Sequence, residues 1–306
     1  MRIGIGIEVG ANLDETLENF RKAEADGFSS AWLSNIFGFD AITLSALAAR
    51  VTSSIEIGTF VVPTYPRHPV AIAQQALTTS AAAGPGRFTL GIGLSHRVVI
   101  EDMFGLDYSK PVRHMREYLS VLNPLLAGET ASFSGEEYRV NARLDVPGAP
   151  RPSLIIAALG PQMLKLAGRM ADGTATWMGG PKYLAETAIP TIRAAAAQAG
   201  RPEPRVVSGF PIAVTTNVES ARESAAHVFQ VYGQLPSYRA VLDVEGAASP
   251  ADIAIVGDED EVVRQLRVLA EAGVTDFHGS IFRVREDPES APRTRKLLAE
   301  LAKNGL

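Results

Sequence analysis

The chain has 306 residues, 46% of them hydrophobic and 21% charged, with a formal net charge of -5 and no cysteine. That composition suits a globule with a large core. It excludes disulfides, thiolate metal sites and cysteine nucleophiles, and it carries no electrostatic footprint for nucleic acid.

No apolar run approaches the roughly 20 residues of a membrane helix, and residues 1–7 read as a strand rather than a signal peptide. The expectation is a cytoplasmic enzyme with neither a membrane nor a nucleic-acid partner. Residues 2–7 alternate glycine with isoleucine, as a strand does where another backbone or a ligand comes close. Asn12 and Glu15 have capping-box spacing for a first helix, whose inner face carries Leu13, Leu17, Phe20 and Ala23 and which Gly27 ends. A second strand covers 30–33, its loop 34–39, and Asp40 caps a helix over 41–50. The β-branched run 55–62 is a third strand. A Pro-rich loop and a helix with Val70, Ala73, Gln74 and Leu77 on one face lead to a fourth strand over 88–92. Two such strands joined by a helix form a crossover unit and lie parallel.

After a loop over 96–110, Pro111 opens a helix with Val112, Met115, Leu119, Leu122 and Leu126 at helical spacing. Residues 130–152 break the rhythm: alternation around Ser134-Gly135, then three prolines, predicts an inserted hairpin and an extended arm. Strand, helix and strand resume at 153–157, 161–170 and 173–176, and a longer helix ends before Gly200. A strand over 205–215 precedes a helix capped by Thr216 or Asn217 and running to Gly233. A short helix over 237–244 follows, then a second capping box at Asp258 and Glu261, a helix ended by Gly273, a last strand over 275–282 and a closing helix over 288–303. Eight strand-like segments separated by helices leave a (β/α)8 barrel and a doubly wound sheet open. By length alone the chain could form two domains, but an α/β barrel of this size is a single domain, here over 1–306.

Three segments carry a family resemblance: Gly58-Thr59-Phe60-Val61, Arg67-His68-Pro69 and Gly86-Arg87-Phe88-Thr89-Leu90-Gly91-Ile92-Gly93. With the motif at Gly160 they make the chain resemble the bacterial-luciferase-like oxidoreductases, and within them the branch that uses coenzyme F420. The resemblance implies a luciferase-like α/β (β/α)8 TIM barrel with the insertion between strands four and five. It also implies a homodimer and an active site at the C-terminal strand ends.

Among residues at those ends, Ala158, Leu159, Gly160, Pro161, Gln162 and Met163 form a strand-to-helix turn. Read alone, it is either an ordinary turn or an anion site, because the early helical N–H groups have no partner and Pro161 has none to give. The resemblance implies the cofactor phosphate there, with Gly179-Gly180 closing round it. Gly91-Ile92-Gly93 lacks the third glycine of a dinucleotide fingerprint. It means close strand packing, or, by resemblance, a bare floor at Gly93 beneath a flat ring. The resemblance also implies a non-prolyl cis peptide at or beside Thr59–Phe60, with Thr59, Phe60 and Val61 backing the ring.

His96 follows strand four, placed to exchange a proton near neutral pH or simply solvated on its loop. His68 reads as structural, and His278 and Trp32 as core. Several F420-dependent relatives read Ser-Asp-His where this chain has Ser34-Asn35-Ile36. Neither Asn35 nor Ile36 does acid–base work, which points away from alcohol oxidation and leaves Asn35 as a hydrogen-bonding group. The five histidines show no paired metal-ligand spacing. The expected function is hydride transfer between F420 and a small organic substrate, as a reductase of an activated double bond. The alternatives are a two-component FMN monooxygenase and a non-catalytic flavin- or deazaflavin-binding protein.

Overall fold

Eight parallel strands arise where the sequence alternates or is continuously apolar. They are β1 (Arg2–Gly6), β2 (Ser30–Leu33), β3 (Glu56–Thr59), β4 (Phe88–Gly93), β5 (Ser153–Ala157), β6 (Gly173–Trp177), β7 (Arg205–Val214) and β8 (Asp276–Ile281). In the computed structural model, which describes Met1–Leu306, each strand pairs with the next and β8 returns to β1 through Arg2 opposite Asp276. The ring is therefore a (β/α)8 barrel, and the doubly wound sheet is excluded. No helix is long and apolar enough to cross a membrane.

Helix starts follow local chemistry. Asp40 accepts the Thr43 N–H at 2.8 Å, His68 Nδ1 that of Val70 at 3.3 Å, and Asn217 that of Ser220 at 3.2 Å. Both expected capping boxes form only by half. Asn12 and Asp258 accept their N–H groups at 2.9 Å, but Glu15 turns to the Ala11 N–H and Glu261 to Arg264. The insertion between β4 and β5 is the expected antiparallel hairpin, Ala131–Ser134 with Arg139–Ala142. Its turn hangs on buried Glu117, which accepts the N–H groups of Glu136, Glu137 and Tyr138. Burial opposes the charge on Glu117, but those bonds hold its carboxyl below the usual range.

Two segments depart from expectation. The helix opened by Asn217 is Val218–Val228 rather than extending to Gly233, because Phe229 turns into the core. A 3-10 turn (Gln230–Gln234) and the helix Pro236–Glu245 follow. The loop over 96–110 contains a π-helical turn, Val98–Met103, with only Ile100 buried.

Inside the barrel, side chains stack in layers. At the N-terminal base, Arg205 lies between Glu56 (2.9 Å) and Asp276 (2.8 Å), and Arg2 reaches the same two carboxylates at 2.7 and 3.1 Å. Thr89 also donates to Glu56. Above this base sit Trp32, Ile155, Ala175 and Val207, with Phe60 and Val61 packed on them. Trp32 needs glycine opposite: a Cβ on Gly58 would stand 2.2 Å from its ring.

Because Glu56 and Asp276 are buried, removing Arg205 leaves the half-exposed Arg2 as the only guanidinium for two carboxylates. Arg205→Leu is expected to lower unfolding free energy by about 3–5 kcal/mol, read as a fall in the urea midpoint. An unchanged midpoint would show the cluster to be neutral for stability.

Candidate active site at the barrel mouth

Beyond Thr59, β3 leaves the sheet and the peptide Phe60–Val61 is cis, one bond past Thr59–Phe60. Val62–Pro63 then pairs again with β4 at Ile92 and Gly93. The Thr59 hydroxyl is spent across the strands, donating to the Gly91 carbonyl (2.7 Å) and accepting the Gly91 N–H (2.8 Å). A Cβ on Gly91 would stand 1.9 Å from the Thr59 carbonyl oxygen, and one on Gly93 2.6 Å from Val61 Cγ2. The Gly-x-Gly thus makes room for the bulge. Instead of a bare floor, Gly93 lies under Val61, and the bulge is the uppermost layer.

Phe60 meets the edge of His278 at 4.4 Å between centroids and Trp32 at 5.9 Å. His278 is core, as expected, and burial pushes its pKa down to about 3. Its Nδ1 has no protein partner. Behind the bulge, the Thr64 N–H donates to the Gly93 carbonyl, and the Thr64 hydroxyl meets His114 Nε2 at 3.0 Å. Tyr65 stacks on His114 at 3.8 Å, and burial lowers the His114 pKa to about 4.

Among the helices that open with proline and no side-chain cap of their own are those at Pro161 and Pro181. At Pro161–Met170 the turn residue Gly160 is extended and exposed, as are Pro161 and Gln162, and a Cβ on Gly160 would meet nothing within 4 Å. Ala158 is tied to β6 through the Ala175 carbonyl (3.2 Å), and the Tyr183 hydroxyl donates to the Leu159 carbonyl. At Pro181 the arrangement differs, since the Glu245 carboxylate accepts the Tyr183 N–H. A Cβ on Gly180 would stand 2.3 Å from the Glu245 carboxyl carbon, and Gly179 is buried against Tyr183 and Leu184. That helix start already holds an anion; the one at Pro161 does not.

Asn35 and His96 stand at the inner ends of the β2 and β4 loops. The Asn35 side-chain oxygen accepts the Ala41 N–H at 3.0 Å, so its amide group is what remains free. His96 is half-buried, its ring 6.0 Å from that of Tyr238, and burial lowers its pKa. Tyr238 packs on Tyr232 at 5.0 Å, and Tyr232 on Trp177 at 5.9 Å. Neither tyrosine nor Glu245 stands out in the sequence, because residues 229–250 lack a clear period. The one available signal was a Gly-Gly-Pro helix start lacking a capping side chain.

The luciferase-like monooxygenase family profile matches residues 1–276, and the chain belongs to that family. It is 30% identical to an uncharacterised protein of Mycobacterium tuberculosis, covering 73% of this chain and 69% of that protein. It is 29% identical to the 5,10-methylenetetrahydromethanopterin reductase of Archaeoglobus fulgidus, covering 90% and 92%. Among solved structures, the coenzyme F420 dependent tetrahydromethanopterin reductase of Methanopyrus kandleri superposes with a TM-score of 0.80 at 24% identity, over 99% of this chain and 97% of that one.

His278 and His114 titrate lower in the folded protein than the ordinary 6.5. Between those values the unfolded chain binds more protons, so their contribution is full above about pH 6.5 and falls as pH drops toward 4. Urea unfolding is expected to lose up to about 1.4 kcal/mol per pH unit per histidine between pH 6.5 and 5. His278→Phe should reduce that slope by one group's share, and a flat profile would contradict the assignment.

Proposed function

We propose that the protein is an F420-dependent oxidoreductase that reduces an activated double bond, C=C, C=N or a similar acceptor, rather than oxidising an alcohol. The observation that carries the cofactor site is the helix start at Pro161, exposed, uncapped and placed at the C-terminal end of a barrel strand. The N–H groups of Gln162 and Met163 suit a ribityl phosphate there. The direction rests on Asn35 and Ile36, which supply no base. In support, the matched Archaeoglobus fulgidus protein is a methylenetetrahydromethanopterin reductase. For the cofactor, though not for the direction, a Mycobacterium tuberculosis protein, 33% identical over 62% of this chain and 56% of its own length, is an F420-dependent hydroxymycolic acid dehydrogenase.

When bound, the deazaflavin supplies hydride transfer at its C5. The chain's residues do the remainder. Phe60 and Val61, raised over Gly93 and anchored by Thr59, back the ring, and Ala158, Leu159 and Gly160 shape the turn at its phosphate end. Gly179 supports that turn from below through Tyr183. His96, whose pKa burial lowers, would deliver the proton to the reduced substrate from its imidazolium form and return to neutral imidazole. The free amide group of Asn35 hydrogen-bonds a substrate carbonyl. Alcohol oxidation needs a base at the β2 loop, and neither Asn35 nor Ile36 supplies one. A cytoplasmic homodimer completes the proposal.

The FMN reading is kept because FMN shares the ribityl phosphate. An FMN complex of a Baeyer–Villiger monooxygenase has the same fold, with a TM-score of 0.77 at 16% identity. Titration followed by cofactor fluorescence separates the readings. F420 is expected to bind at least about tenfold more tightly than FMN, and Gly160→Asp, which sets a carboxylate where the phosphate would sit, should weaken F420 by about tenfold or more. The reverse order supports the monooxygenase, and tight binding without turnover on a broad substrate panel supports the non-catalytic protein. With F420, the wild type is expected to leave simple alcohols unoxidised. Oxidation at a rate that Ile36→Ala leaves unchanged would reverse the assigned direction.

A further inference from the structure

The helix Pro236–Glu245, which falls between β7 and β8 in the sequence, has both of its ends on the loops of other strands. Tyr238, in its first turn, meets the ring of His96, after β4, at 6.0 Å between centroids. Glu245, its last residue, accepts the N–H of Tyr183, after β6. The two are seven residues apart, or two helical turns, so they share one face about 10 Å apart along the axis. Val241 and Leu242 lie between them on that face and are buried. Off that face, Arg239 pairs with Asp243 at 2.8 Å and donates to the Ala247 and Ala248 carbonyls at 2.6 and 2.9 Å. Beyond Glu245 the contacts continue, since the Tyr183 hydroxyl donates to the Leu159 carbonyl in the turn at Gly160.

From this we infer that the helix is a strap: it holds Tyr238 as the positioning residue of His96 and is itself held by Glu245, so one element sets both the proton donor and the phosphate turn. Its catalytic meaning rests on the roles proposed for His96 and Gly160; the strap itself does not. The groups facing His96 leave burial as the lever. Its neighbour Arg97 is paired with Glu101 at 2.8 Å and lies over the ring of Tyr108, whose hydroxyl donates to the Ser95 carbonyl. From the other side come Tyr238 and, packed on it at 5.0 Å, Tyr232, both raised in pKa by burial and so uncharged at neutral pH. Burial lowers the His96 pKa, and removing the Tyr238 ring admits water and moves it back toward the ordinary 6.5.

The test is an NMR titration of the apo-protein carrying isotope-labelled histidine. Tyr238→Ala is expected to raise the His96 pKa, and so is Glu245→Ala, at the far end of the helix. Tyr238→Phe, which keeps the ring, and Glu245→Gln, which keeps an acceptor oxygen, should leave it at the wild-type value. His114 reports folding, and it should keep its lowered value of about 4 in every variant. Were an alanine variant to move His114 as well, Tyr238→Val and Glu245→Asp, which shorten the same side chains, take its place with the same expectation. A His96 titration unchanged by Tyr238→Ala, or unchanged by Glu245→Ala, overturns the inference. With F420 and substrate present, the pH at which the reduction rate falls should rise with the His96 pKa. A shift in the titration without one in the rate profile supports the strap and removes His96 as the proton donor, so the two failures appear separately.

Discussion

Arg205 between Glu56 and Asp276 fixes the barrel where its ends meet. Those residues, with Arg2, are the first residues of β7, β3, β8 and β1, so one cluster ties the closing seam to the opposite wall. Buried charges are tolerated only when paired and hydrogen-bonded, and here the pairing gathers all the charge at the N-terminal end. Burial opposes the charge on Arg205, but the two carboxylates raise its pKa above the usual value. The interior above is aromatic and aliphatic, a low-dielectric column ending at the Phe60–Val61 bulge. Neutral His278 and the depressed His96 are consequences of that gradient.

The mouth is organised by where polar demand is left unmet. The helices at Pro161 and Pro181 lack a capping side chain of their own. The one at Pro181 is satisfied from a distance by Glu245, the last residue of Pro236–Glu245. The one at Pro161 has its turn held from behind by Tyr183 and its front open. Two similar sequences, Leu159-Gly160-Pro161 and Gly179-Gly180-Pro181, therefore play different parts. The difference lies in a residue sixty or more positions away.

That contrast shows how far the sequence could be read. Strands were legible because alternation and apolar runs are local, and single caps such as Asp40, His68 and Asn217 are local too. Alternation alone left barrel and open sheet undecided, since ring closure between Arg2 and Asp276 spans the chain; the family resemblance resolved it. Glycine at 91 and 93 signalled a close approach without saying by what, and the structure brings the Thr59–Val61 bulge onto both. The segment 229–250 hid Tyr232, Tyr238 and Glu245 because its short turns follow tertiary contacts, Phe229 burying itself, rather than a helical period. The capping boxes failed by half for a related reason: the second partner of each glutamate lay within reach outside the motif.

The proposed chemistry depends on one placement, a phosphate at the Pro161 helix start with a flat ring on the Phe60–Val61 bulge. A crystal structure of the protein with bound F420 tests it most directly. The account predicts phosphate oxygens within hydrogen-bonding distance of the Gln162 and Met163 N–H groups, with Glu245 still on Tyr183. Phosphate at the Pro181 turn in place of Glu245, or a ring lying away from Phe60 and Val61, would contradict it.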